Sequence, residues 1–442
     1  MFTRRDVIGG GVAMALAGPA MAATPHAPFV RREGIRFTID GKPYRYAGAN
    51  LWYGAWLGAD APFGDRDRLR RELDALAATG VTNLRVLASS EKSPLLNAVE
   101  PAMHDGRGHY DPALLGGLDF LLAEMARRRM RAVLYLTNFW EWSGGMMTYL
   151  SYVDQGRFIN MNDPAHPWPE FPDHVSRFYG RADAVALYHR HVRAIVGRTN
   201  GITGTAYAED PTIMAWQLAN EPRPGGSAAV GLAALPAFQA WVQGTARLIR
   251  GLAPRQLVST GSEGLKGALE REAIVKAEHA IPEIDYLTCH IWPLNWGWID
   301  SANLAGSEAA GAAKVADYLA QHIRIATELG KPLVIEEFGY PRDGGSYDPA
   351  ATTAFKDRYY RQIYAAVEAD ATRGGPIVGT NFWAWSGEGR AAHADHRFVA
   401  GDTAWLGDPP HEPQGWYGVF GSDDSTRKII RDHAAAFATA AA

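Results

Sequence analysis

Eight times along the chain a short apolar run gives way to a segment with helical spacing, and this alternation limits the fold more than any other feature. The apolar runs are 44–52, 81–88, 131–137, 212–220, 257–260, 286–291, 333–337 and 377–384. The intervening helical stretches include 66–78, 111–129, 182–198, 233–252, 307–329, 350–371 and 424–438. Strands separated by helices return to the same end each time, so they pair in parallel, and eight of them predict closure into a (β/α)8 TIM barrel of α/β class. A doubly wound open sheet is the rival, but it would carry a glycine fingerprint after its first strand, where this chain has Asn50-Leu51-Trp52-Tyr53. No Pro/Ser-rich linker divides the sequence, so 23–442 reads as one domain with extended βα loops. Residues 30–45 read as a hairpin turning at 39–42 and plugging the barrel bottom, and 138–180 as a long insertion after strand three.

Every strand of such a barrel ends on the face where active sites lie. Two strands end in acid: Ala215-Trp216-Gln217-Leu218-Ala219-Asn220-Glu221-Pro222, and Lys331-Pro332-Leu333-Val334-Ile335-Glu336-Glu337-Phe338-Gly339. Pro222 disfavours the helical region for Glu221, which is expected to stay extended. Strand neighbours face opposite sides, so only one of Glu336 and Glu337 should enter the lumen, with the other turned towards the helices and paired with a cation. The remaining strand-end residues are Asn50, Trp52, Arg85, Asn138, Asn220, His290, Trp292 and Trp383. Polar groups and indoles together at the ends of apolar strands are hard to explain as packing.

The balance of 44 Lys and Arg against 48 Asp and Glu gives −4, with no basic patch for nucleic acid or a membrane surface. Fourteen tryptophans, many beside Gly, Asn or Pro, suit flat apolar partners such as sugar rings. Cys289 is the only cysteine, so no intrachain disulfide forms. Neither metal-ligand spacing nor a phosphate-binding glycine loop occurs, and no cofactor or metal is expected. At the N-terminus, Arg4-Arg5 precedes an apolar run, and Ala20-Met21-Ala22 is a small-x-small cleavage site. Residues 1–22 therefore read as an export signal, twin-arginine-like or Sec-type, of a periplasmic or extracellular bacterial protein.

Asn220-Glu221-Pro222, Glu337-Phe338-Gly339, Leu84-Arg85-Val86 and His290 resemble glycoside hydrolase family 5, of the clan with catalytic glutamates on strands four and seven. Thr288-Cys289-His290-Ile291-Trp292-Pro293, Asn295-Trp296-Gly297-Trp298 and the tail from Gly407 to Trp416 resemble its β-mannanase branch. The resemblance implies Glu221 as acid/base and Glu337 as nucleophile of a retaining mechanism, with the charge of Glu337 raising the pKa of Glu221. It further implies Arg85 against Glu337, Asn220 at the sugar 2-hydroxyl, His290 orienting the site, and Trp383 or Trp385 beneath the sugar. Trp292 stands where the family commonly has Tyr. Asn138, Trp52, Trp298, Trp140, Trp142 and Trp296 are further substrate-binding candidates. The implied substrate is β-mannan or manno-oligosaccharide, cut internally by a monomer; chain-end action, a cellulase-type activity and non-catalytic glycan binding are the alternatives. The insertion, with Trp140, Trp142, Tyr149 and Trp168, could wall off one end of a cleft.

Overall fold

The computed structural model describes residues 28–161 and 163–440. All eight strands form: β1 (Tyr46–Asn50), β2 (Asn83–Leu87), β3 (Arg131–Tyr135), β4 (Ile213–Gln217), β5 (Leu257–Ser259), β6 (Leu287–Ile291), β7 (Leu333–Phe338) and β8 (Ile377–Phe382). They pair in parallel in the order β5-β4-β3-β2-β1-β8-β7-β6. Hydrogen bonds from Asp285 N to Val258 O (2.8 Å) and from His290 N to Glu263 O (3.1 Å) draw the β5 and β6 edges together, giving the (β/α)8 TIM barrel.

Eight helices follow the strands in turn: α1 (Arg66–Ala78), α2 (Pro112–Arg127), α3 (Ala182–Val196), α4 (Ala228–Leu252), α5 (Glu272–His279), α6 (Leu304–Leu329), α7 (Ala354–Thr372) and α8 (Asp424–Thr439). Their ends follow side-chain chemistry. Asp65 accepts from Arg68 N (2.8 Å) and Asp111 from Ala113 N (2.8 Å), each satisfying a donor that the first turn leaves free. Gly330 ends α6 at φ +63°. Helix α4 starts five residues before its sequence pattern, because Ser227 caps it and the helix accommodates Pro236.

The N-terminal unit has three antiparallel strands (Arg31–Glu33, Arg36–Ile39 and Lys42–Tyr44) instead of one hairpin, since Gly34 at φ +60° supplies an additional turn. Val30 and Phe37 pack there against Tyr46, Val133, Met214, Leu257, Tyr286, Val334 and Val378, the lower layer of the barrel, as a plug should. The insertion after β3 is helical, with turns at Gly145–Val153 and Glu170–Val175, and it buries Met146, Met147, Tyr149 and Leu150. After β8, Trp385–Gly387 pairs with Val419–Phe420 and ties the tail to the barrel mouth.

Candidate active site

Arg85, at the middle of β2, is fully buried and organises the floor of the barrel mouth. Its guanidinium donates from Nε to Gln217 Oε1 (2.8 Å) and from Nη2 to Asn220 Oδ1 (2.7 Å). The Nη1 group donates to Asn50 Oδ1 (3.2 Å) and to Glu337 Oε1. Such a fork suits Arg better than Lys because its donors have fixed directions. Asn220 Nδ2 donates in turn to Asn138 Oδ1 (3.1 Å), which also accepts from Trp140 N (3.0 Å). Asn138 therefore fixes the floor from beneath and does not line the cavity.

Both glutamates of β7 turn inward, which corrects the alternation expected for Glu336. The ladder with β6 slips here: Ile335 pairs with Cys289 and Glu337 with His290, leaving Glu336 as the extra residue of a bulge. Glu336 is fully buried, accepts from Gln217 Nε2 (2.7 and 2.6 Å), and lies 3.4 Å from Arg85 Nε and 3.8 Å from His290 Nε2.

Glu221 is not extended either. It stands four residues beyond β4 at φ +47°, a left-handed conformation that costs a non-glycine residue about 1 kcal/mol. The loop is held by Glu221 N to Gly261 O (2.9 Å), and the carboxylate accepts from Trp140 Nε1. His290 Nδ1 lies 2.6 Å from Glu221 Oε1 and 3.2 Å from Glu337 Oε2. One carboxylate oxygen of each glutamate and a ring nitrogen of His290 fall within 4.8 Å of one another. That spacing could hold a cation, but Arg85 already compensates Glu337 and His290 already bonds Glu221. A carboxylate pair this close falls on the retaining side of the division between glycosidases, about 5 to 5.5 Å against about 6.5 to 9.5 Å for inverting enzymes.

The electrostatics of the site differ from the expected ones. Burial alone would raise the pKa of Glu221, but the His290 hydrogen bond and charge, Arg223 and the Trp140 N–H outweigh it and hold the carboxyl at about 2. Burial opposes charge on His290, yet Glu337, Glu221 and Glu336 around the ring raise its pKa well above the ordinary range. The surrounding carboxylates thus favour a charged His290 beside an ionised Glu221, in place of the raised Glu221 that the carboxylate pair alone implies.

Above this floor opens a cavity of about 610 Å³. Of the sequence candidates, Asn220, Glu221, Trp292, Glu337 and Trp383 line it, as do Trp140, Trp142, Trp168 and Trp296. Trp383 and Trp292 meet edge to face at 5.9 Å, and the Trp292 indole sits at 5.0 Å from Tyr417. Trp52, Trp298 and Trp385 do not line it. The Trp52 N–H is spent on Gly407 O (2.9 Å), and its ring is packed among Trp56, Trp142 and Trp405. Trp298 stands behind Trp296, 4.8 Å away, and Trp385 donates to Glu72 Oε2 (2.6 Å) in the wall.

Sequence reasoning missed several charged lining residues. Arg223, the residue after Pro222, pairs with Glu263 and lies 4.6 Å from the Trp140 ring. Burial, opposed by Arg223, pushes the Glu263 carboxyl up to about 7. From the tail come His411 and Glu412; His411 Nδ1, Glu412 Oε2, Arg223 Nε and Trp383 Nε1 have no hydrogen-bond partner among the described residues. The NEP-Arg order was a usable signal for Arg223, whereas a loop acid after β5 carries none.

A family model described as GH family 5 beta-mannosidase-like matches residues 27–441. The chain is 30% identical over 403 residues to mannan endo-1,4-beta-mannosidase 1 of Oryza sativa subsp. japonica, covering 87% of this chain and 85% of that one. It is 29% identical to mannan endo-1,4-beta-mannosidase 7 of Arabidopsis thaliana, covering 82% and 78%. Among solved structures, the glycoside hydrolase family 5 mannosidase of Rhizomucor miehei superposes with a TM-score of 0.84 at 36% identity, covering 93% and 98%. These relatives correct one expectation. The curated ones are plant proteins, not bacterial, and one arginine pair before an apolar run is too short a pattern to set source or destination. The residues that carry it, 1–22, lie outside the described residues. Among the described residues no helix is long and apolar enough to cross a membrane. By the family match over nearly its whole length, the chain belongs to the beta-mannosidase-like members of glycoside hydrolase family 5.

Proposed function

We propose that the chain hydrolyses β-1,4-mannosidic bonds with retention of configuration, residues 23–442 acting as one catalytic domain. The observation that carries this is the placing of carboxylate oxygens of Glu221 and Glu337 within 4.8 Å, around His290, on the floor of a tryptophan-lined cavity. Glu337, positioned by Arg85, attacks the anomeric carbon, and Glu221 delivers a proton to the departing oxygen. When Glu337 is esterified its charge is gone, and Glu221 takes a proton from the attacking water. Asn220, anchored through both Oδ1 and Nδ2, keeps one N–H for the sugar 2-hydroxyl. Trp383 and Trp292 offer faces to the ring. Mannan as substrate is supported by the names of the plant relatives.

Glu221→Ala is the test. Hydrolysis of mannan should fall by about 10²- to 10⁴-fold, the usual contribution of a general acid/base, and a variant at the parental rate refutes the proposal. Rates on mannan and cellulose, measured side by side, separate the mannanase reading from a glucanase on the same scaffold. Absence of reducing-sugar release from either would leave glycan binding alone.

Internal cleavage accords with the endo names of the plant relatives. A second reading, cleavage near a chain end, is favoured by what two loops add to the cavity lining: Trp140 and Trp168 from the insertion, His411 and Glu412 from the tail. The Rhizomucor miehei mannosidase, 36% identical, supports it. Mannohexaose decides: early release of mannose or mannobiose alone means end-directed cutting, and a mixture of middle-sized products means internal cutting.

A further inference from the structure

The bulge in β7 places a third carboxylate in the floor, Glu336, to which the double-displacement mechanism gives no task. Glu336 does not line the cavity and is fully buried, so it cannot touch substrate. Its charged neighbours are Arg85 on β2, at 3.4 Å, and His290 on β6, at 3.8 Å. The other titratable groups whose charge it feels are Tyr46 on β1, Tyr135 on β3, and Tyr286 and Cys289 around β6; burial raises all four and keeps them neutral. Arg85 and His290 therefore stand among three carboxylates, Glu221, Glu336 and Glu337, while Arg223 acts on Glu221 from the cavity side and pairs with Glu263, whose weaker influence reaches the ring from beyond β5. His290 Nε2 is a buried nitrogen with no hydrogen-bond partner among the described residues, and the oxygen of Glu336 nearest it is just beyond bonding range.

We propose that Glu336 and His290 form a proton store behind Glu221, in which Glu336 is the positioning residue that keeps the ring charged and His290 Nδ1 hands its proton to Glu221 as the leaving oxygen is protonated. The inference rests on the hydrolytic reading above. In the first half-reaction the Nδ1–H bond breaks as a Glu221 O–H bond forms. That proton passes to the glycosidic oxygen, whose bond to the anomeric carbon breaks while a Glu337 oxygen bonds to it. The ring loses its positive charge as Glu337 loses its negative one, so the net charge of the buried cluster is unchanged at a place where a change would be costly. In the second half-reaction the water oxygen bonds the anomeric carbon, its proton goes to Glu221 and on to Nδ1, and Glu337 departs as carboxylate. The raised pKa of His290 and lowered pKa of Glu221 agree with this resting position of the proton.

Two measurements on the full-length protein test the store. The ring 15N resonances of His290 in the free enzyme at neutral pH should report both nitrogens protonated in the parent, and one only in Glu336→Gln. This reading needs no substrate, so it stands apart from any failure of the hydrolytic proposal, and a neutral ring in the parent overturns the store outright even if the variant does not fold. The second is the pH profile of kcat/KM on aryl β-mannosides. Removing a negative charge lowers the pKa of the stored proton, so the alkaline limb of Glu336→Gln should move to lower pH by about one unit or more. At fixed neutral pH the loss should be about tenfold or greater with an alkyl leaving group and less than about threefold with dinitrophenolate, which departs without a proton. Glu336→Asp should restore much of the limb. An unmoved limb, or equal losses on both leaving groups, would reduce Glu336 to a structural acid and refute the store.

Discussion

At the scale of single residues, the floor depends on one guanidinium with four polar partners. In Arg85→Lys a single ammonium cannot reach Gln217, Asn50, Glu337 and Asn220 together, so buried acceptors are left open. Breaking a buried pair typically costs about 3 to 5 kcal/mol, and kcat/KM on mannan should drop at least about 100-fold with a lowered urea midpoint. A variant with parental kcat/KM would remove Arg85 from the site. Arg85, Glu221, His290, Glu337 and Asn220 were legible because a polar residue ending an apolar strand has few structural explanations. Trp52 was not, since an indole at a strand end reads alike whether its N–H meets a ligand or the Gly407 carbonyl. Nor were the facing of Glu336 and the backbone of Glu221: a bulge and a left-handed turn are set by neighbouring strands and loops, and they override parity and the pre-proline preference.

Among the elements, helix bounds were legible from spacing, as at 66–78 and 182–198, which form as Arg66–Ala78 and Ala182–Val196, while the insertion was not. Gly145–Val153 is buried along nearly all of its length, so it has no polar face and leaves no 3.6-residue pattern. What that insertion does can be measured at Trp168, which is 61% exposed yet lines the cavity and lies 6.4 Å from Trp140. Trp168→Ala should leave stability unchanged and weaken kcat/KM on long manno-oligosaccharides by about three- to tenfold, the value of one aromatic contact, with little effect on mannobiose. Equal losses on long and short chains would place Trp168 in the catalytic subsite instead. Helix α5 carries a different prediction. Burial, with only Ser262 Oγ–H (2.9 Å) opposing, pushes Glu278 up to about 8. Between its unfolded value and about 8 the folded state therefore binds more protons than the unfolded one, and stability must fall as pH rises through that window. Glu278→Gln should flatten the decline, a difference of a few kcal/mol between pH 5 and pH 8 in urea unfolding, whereas parallel slopes in parent and variant would show that the acid is compensated elsewhere.

For the whole molecule, the eightfold alternation was enough to give the barrel, because parallel strands with helical returns leave few closed solutions. It also separates two tasks by end. The C-terminal ends of the strands carry the carboxylates, and the opposite end is filled by the small, largely apolar core around Phe37. Phe37 is fully buried, meets Tyr286 edge-on at 5.3 Å, and is supplied by the three-stranded plug, which is not part of the barrel. Phe37→Ala removes a ring that the barrel bottom cannot collapse to replace, since the strands around it are fixed by their ladders. The expected cost is about 3 to 5 kcal/mol of unfolding free energy. It should appear as a lower urea midpoint at unchanged slope, because the surface exposed on unfolding hardly changes. Below the transition, kcat and KM should stay at parental values, as no contact of Phe37 reaches Glu221, His290 or Glu337. If kcat instead fell with stability, the strands would be transmitting strain from bottom to mouth, and the bulge at Glu336, where β7 departs from its ladder with β6, is the place where that strain would enter the site.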